Sequence, residues 1–148
     1  MQKQIFTSIT LFIFLGLLLF SCKKENQEEI ILTNSDLEGR WNVDSYVVTV
    51  PAFNDKENVD VTNTNFVFEV DGTCQVNNNA DYTNLLNYLF NLEKWEINAE
   101  NKNEVIFNRG TSLQRILTVK SITRSSMKME LIDSNIGINI VYLISFSK

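Results

Sequence analysis

The sequence predicts an all-β fold, an eight-stranded antiparallel meander barrel with one short helix between its third and fourth strands. Three observations predict it. From Gly39 onward, apolar and polar residues alternate over short runs, the pattern of a half-buried sheet. The links at 99–103, 109–112, 123–125 and 133–135 are polar and of hairpin length, and consecutive hairpins make a meander. An even number of antiparallel strands can close on itself, which removes the exposed edges that invite aggregation.

The eight runs span 40–50, 65–70, 73–77, 92–98, 104–108, 113–121, 126–132 and 136–147. Asp71-Gly72, between the second and third, is the strongest hairpin signal, because a two-residue primed turn wants positive φ. Phe66, Phe68 and Val70 share one face of the second run, with Val67 and Glu69 opposite. In the third run, alternation puts Cys74 and Val76 on one face, and burial is the reading for this thiol, since no histidine or clustered base is nearby to make a thiolate. In the fourth, Trp95 and Ile97 oppose Lys94 and Glu96, and in the fifth Val105 and Phe107 oppose Glu104 and Asn108. The seventh sets Met127, Met129 and Leu131 against Ser126, Lys128 and Glu130. The sixth and eighth are apolar on both faces: Leu113, Leu117 and Val119 against Ile116 and Ile122, and Ile138, Ile140, Tyr142, Ile144 and Phe146 against Val141 and Leu143. Such strands are covered on the outside or meet a partner there.

One segment departs from alternation. Tyr82, Leu85, Leu86, Leu89 and Phe90 form the stripe of an amphipathic helix, and Asp81 is placed to cap its first turn. The stripe reads as a helix packed permanently into the core, with a lid over one end of the barrel as the other reading.

The N-terminus carries an address. Lys3 precedes an apolar run over 5–20, short of the roughly 20 residues a spanning helix needs, and a charged stretch begins at Lys23. This is the pattern of a signal peptide over 1–21. Leu19-Phe20-Ser21-Cys22 resembles the lipobox of bacterial lipoproteins, with Phe20 departing from the usual small or aliphatic choice. The resemblance implies cleavage before Cys22, a diacylglyceryl group on its thiol and a further acyl chain on the freed amine. Two or more chains hold stably, because each buried methylene contributes about 0.8 kcal/mol. Residues 22–34 then read as lipidated cysteine and tether, with the Lys23 to Glu29 stretch too polar to pack, and 35–148 as the barrel domain. The charged stretch also resembles the export signals behind the lipidated cysteine of Bacteroidetes surface lipoproteins. The protein is thus expected in the outer membrane, lipid-anchored, on its periplasmic or cell-surface face.

Leu37, Gly39 and Trp41 match the Leu-x-Gly-x-Trp start of the lipocalin-like domains of Bacteroidetes lipoproteins. Phe66-Val67-Phe68-Glu69-Val70-Asp71-Gly72-Thr73 resembles the second hairpin of that family, and Lys94-Trp95-Glu96-Ile97 its later Trp-containing strand. The resemblance implies a small barrel whose closed end is plugged by Trp41. True lipocalins stack a late-strand arginine on that tryptophan, and Arg115 or Arg124 is implied for this part.

Composition excludes several chemistries. The chain has no histidine, so it has no Ser-His-Asp triad, Cys-His pair or histidine-ligated zinc. A net charge of −5 argues against nucleic acid, whose phosphates call for a basic face. No phosphate loop, CxxC pair, cofactor motif or metal-ligand cluster is present. Asp55, Glu57 and Asp60 are close in sequence, in the long link after the first run, but no glycine follows to make an EF-hand turn, so a solvated acidic loop is expected. Asparagine is abundant, as in Asn77-Asn78-Asn79, and turn preference explains it more simply than sugar binding.

Three functions remain open on the sequence. The first is a non-enzymatic, membrane-anchored barrel holding a small apolar ligand among Val43, Val47, Phe66, Phe68, Trp95, Phe107 and Met129, residues that equally suit a plain core. The second is a filled barrel whose outer apolar residues meet a protein or glycan. The third, a carboxylate hydrolase, needs two acids facing each other in a cleft.

Overall fold

The computed structural model describes residues 29–77, 91–134 and 137–148. The signal segment, Cys22, the tether up to residue 28, Asn78 and Asn79, and the helical stripe from Asp81 to Phe90 lie outside the described residues. A short helix α1 (Asn34–Leu37) precedes strand β1 (Gly39–Val50), and a 3-10 turn at Pro51–Phe53 leads into β2 (Asp55–Val59). There follow β3 (Asn65–Phe68), β4 (Cys74–Asn77), β5 (Trp95–Ile97), β6 (Glu104–Phe107), β7 (Arg115–Ile122), β8 (Ser126–Asp133) and β9 (Ile140–Ser147).

Every ladder is antiparallel, and the spatial order is β4-β3-β1-β9-β8-β7-β6-β5. The two outer members of that order meet through one bridge, Thr73 with Lys94, where the Cys74 N–H donates to the Glu93 carbonyl and the Trp95 N–H to the Gly72 carbonyl, both at 2.8 Å. The result is a nearly closed, eight-stranded antiparallel barrel, as the sequence predicts. The eight barrel strands are the eight runs.

β2 is the ninth strand, and it replaces the loop expected at Asp55 and Glu57. Its polar residues have little strand propensity of their own. They are drawn into a ladder by the second half of β1, with Tyr46 opposite Val59 and Val50 opposite Asp55. β3 takes the first half of the same edge, with Gly39 opposite Phe68. β2 and β3 are therefore one returning strand, broken at 60–64, where Asn63 turns left-handed at φ 61°.

Two bulges decide which side chains point inward. Between Val43 and Ser45 the β1–β9 register slips, so Trp41, Val43, Tyr46 and Val48 all reach the core. Val47 therefore faces outward, contrary to its assignment to the interior. A second slip between Val119 and Ser121 turns Ile122 inward against Met127, although plain alternation puts it outside. A bulge reverses parity at one unpaired residue and leaves no mark in the hydrophobic pattern.

The Asp71-Gly72 hairpin is present with a different turn. The Gly72 N–H donates to the Glu69 carbonyl at 3.1 Å, which places Val70 and Asp71 at the corners and Gly72 just after them at φ 79°. Val70 is thus expelled from the strand and stands 77% exposed, not in the face it was expected to share with Phe66 and Phe68. Leu113 likewise precedes β7 and is exposed. At the N-terminal side the domain begins earlier than residue 35: Leu32 is buried, Ile30 packs on the core, and the Leu32 N–H donates to the Lys102 carbonyl at 3.0 Å.

Candidate functional site

The interior was the first candidate site, and six of its seven expected residues meet there. Val43, Phe66, Phe68, Trp95, Phe107 and Met129 are all buried in one cluster. Their rings form a continuous contact chain. Phe146 meets Phe66 edge-on at 5.2 Å between centroids, and Phe66 lies 6.2 Å from Phe68. Phe68 in turn meets the edge of Trp95 at 5.5 Å and Phe107 at 6.0 Å. This chain crosses the barrel from β9 to β5 and β6, and at that level side chains occupy the interior. Centroid separations of about 4.5 to 7 Å are those of packed aromatic pairs.

One end of the barrel is plugged. Trp41 is fully buried, and its indole N–H donates to the Leu37 carbonyl at 2.6 Å. α1 is held there by its own cap: the Asp36 carboxylate accepts from the Thr33 N–H and hydroxyl, and those bonds hold its pKa below the ordinary value. The cation on the Trp41 ring is Lys148, 4.3 Å from the centroid, and not Arg115 or Arg124. The reason is register. Ser147 pairs with Asn42, so the residue after β9 arrives beside Trp41, where its ammonium also donates to the Glu38 carbonyl. Arg115 opens β7 opposite Phe107, at the far end of that strand from the turn that carries Arg124.

The chemistry of the buried polar groups is that of a core. Burial pushes the Cys74 thiol up from 9.0 to about 12, and burial also raises Tyr46, with Tyr142 stacked beside it at 6.3 Å. A thiol held protonated is a poor nucleophile. The unfolded chain releases these protons from about pH 9 upward while the native chain keeps them, so stability is full below that pH and falls above it. We expect Cys74→Ala to flatten the alkaline fall. In a Cys22→Ala chain, Cys74 should label with a maleimide only after unfolding, and equal labelling rates in buffer and in urea would refute its burial.

The acids after β1 do not gather. Asp55 and Glu57 lie exposed on β2, and Asp60 Oδ1 is taken by the Thr62 N–H and hydroxyl at 3.0 and 2.6 Å. Among the described residues, no group of three or more His, Cys, Asp or Glu is placed to hold a metal. Among the same residues, no helix is long and apolar enough to cross a membrane.

One feature was missed by sequence reasoning. Asn108 ties β6 to the segment before β5: its Oδ1 accepts from the Glu93 and Lys94 N–H groups at 2.9 and 3.1 Å, and its Nδ2 donates to the Asn91 carbonyl at 2.7 Å. Its backbone is left-handed at φ 49°, and the non-glycine residues with positive φ among those described are all asparagines, Asn54, Asn63 and Asn108. The signal was available in Asn108-Arg109-Gly110, a turn tripeptide directly after an apolar run. The second apolar face expected of the sixth and eighth runs is present at Ile116 and Val141, and Ile106 and Ile132 extend it. Ile106 pairs with Ile116 across β6 and β7, and Ile132 pairs with Val141 across β8 and β9. Ile116 and Ile132 are 40% and 54% exposed.

No protein-family model, curated protein or solved structure matches this chain.

Proposed function

We propose that this protein is a non-enzymatic, lipid-anchored lipoprotein of the outer membrane, whose lipocalin-like barrel is a filled scaffold that acts through its outer surface. The observation that supports the reading is the aromatic chain from Phe146 through Phe66 and Phe68 to Trp95 and Phe107, whose rings pack on one another inside the barrel. The address rests on the apolar run over 5–20 and on Leu19-Phe20-Ser21-Cys22. Ile30, the first of the described residues that packs on the core, is eight positions after Cys22, so an extended tether reaches at most about 28 Å. The scaffold works close to the lipid surface.

Fractionation tests the anchor. The native chain should sediment with outer membranes and a Cys22→Ala variant should appear in the soluble fraction, and a variant that still sediments overturns the anchor. Native mass spectrometry tests the scaffold. After incubation with lipid extract, the Cys22→Ala chain should fly as a bare protein, and a discrete added mass that disappears in Phe68→Trp would return the carrier reading instead.

A further inference from the structure

The outer face of β5 and β6 carries a groove of about 690 Å³, walled by the Asp71-Gly72 turn on one side and by the loop after β6 on the other. That volume falls within the range of small-ligand clefts, roughly 300 to 1,000 Å³. Leu113 from the loop supplies its exposed apolar surface, with Ile106, on the outer face between Glu96 and Ile116 but only 3% exposed, lying beneath the groove. Both walls are fixed. Asn108 fastens the loop side to the segment before β5, and on the other side Gly72 approaches so closely that a Cβ there would meet the Trp95 carbonyl oxygen at 3.3 Å. A preformed groove loses little freedom on binding.

The rim alternates acceptors and donors. Asp71, Glu93 and Glu96 supply carboxylates, and Lys94 and Arg109 supply cations. Much of this capacity is unused. Asp71 takes both the Thr73 N–H and hydroxyl on Oδ1, at 2.9 and 2.7 Å, so Oδ2 accepts from no described residue. Arg109 engages Glu96 through Nε alone, and the Glu93 and Lys94 side chains make no hydrogen bond with a described residue. An anion would meet more negative than positive charge here, and a simple cation would meet Arg109 beside Glu96 and Lys94 near Asp71. A neutral ligand rich in hydroxyls meets neither penalty, because each hydroxyl both donates and accepts. The C–H face of a sugar ring also has the exposed Leu113 side chain to cover.

We infer that this groove binds a neutral oligosaccharide. The inference deepens the outer-surface reading above and rests on it. It is independent of the anchor.

The test is titration of the Cys22→Ala chain with cellohexaose, laminarihexaose, maltohexaose and a linear mannan hexamer, followed by amide chemical shifts and calorimetry. At least one neutral hexamer should bind, shifting amides of Lys94, Ile106 and Leu113. A sulfated form of that hexamer should bind at least about tenfold more weakly. Glu93→Ala and Lys94→Ala should each weaken binding about tenfold at an unchanged melting temperature, since neither side chain supports the fold. Ile132→Ser, outside the groove, should leave the affinity as it was. Failure of every neutral hexamer to bind at millimolar concentration overturns the inference, as does affinity unmoved by both groove variants, or release of shorter sugars. Binding abolished by Phe68→Trp but kept by the groove variants would place the ligand in the interior, and would overturn the outer-surface reading with it.

Discussion

Replacing Trp41 by alanine is expected to lower stability by about 4 kcal/mol, the scale for truncating a fully buried tryptophan. Three interactions go at once. The ring vacates the plugged end, the Leu37 carbonyl loses its 2.6 Å donor, and Lys148 loses the face it lies over. For a domain of this size the melting temperature should fall on the order of 15 °C. Partial substitutions separate the contributions. Trp41→Phe keeps most of the apolar volume but leaves the Leu37 carbonyl unsatisfied, and should cost about 1 to 3 kcal/mol. Lys148→Ala removes a surface-side cation and should cost no more than about 1 kcal/mol. Thermal melts of the three variants check this order, and a Trp41→Ala melt that overlays the parent would remove Trp41 from the plug.

Asn108→Ala should cost about 3 kcal/mol, more than an ordinary loop substitution, because one side chain serves three backbone groups. Its loss strands the Glu93 and Lys94 N–H groups and the Asn91 carbonyl at a part-buried site, at about 1 kcal/mol or more each. Alanine is also a poorer occupant of the left-handed backbone at φ 49°. Asn108→Asp keeps the acceptor and the turn preference and loses only the donor to Asn91, so it should retain more than half of the stability that alanine forfeits. Urea melts rank the two, and equal midpoints would show that the amide does not latch the segment. Because Asn108 also fixes a wall of the groove, hydrogen exchange at Glu93 and Lys94 should quicken in the alanine variant before global unfolding.

The sequence-level reading of the fold succeeds where alternation is uninterrupted. Met127, Met129 and Leu131 are inside, as their spacing requires, because β8 pairs without a slip along β9. It fails where one residue changes parity. Val47 and Ile122 sit on the wrong predicted faces because the slips beside Asp44 and Lys120 have no compositional signature. β2 was illegible for a different reason: Asp55 to Asn58 are strand residues only because β1 offers them an unpaired edge. The candidate interior was legible as a set of large apolar residues, but the sequence cannot say whether their rings touch. Lys148 on Trp41 and the groove on β5 and β6 are products of register and of loops far apart in sequence, and no local window contains either of them.

The ladder between β1 and β9 carries a consequence for how the chain reaches its native state. It joins residues as far apart as Asp44 and Ser147, whose side chains hydrogen-bond at 2.7 Å across 103 positions. Contacts of such separation are slow to form, because loop-closure entropy must be overcome before they contribute anything. A chain emerging from its N-terminus therefore presents β1 first and has to wait for β9, its most extensively paired neighbour, until almost all of the domain has been synthesised. The barrel cannot close while β9 is missing, so the pairing that completes it waits for the strand furthest along the sequence.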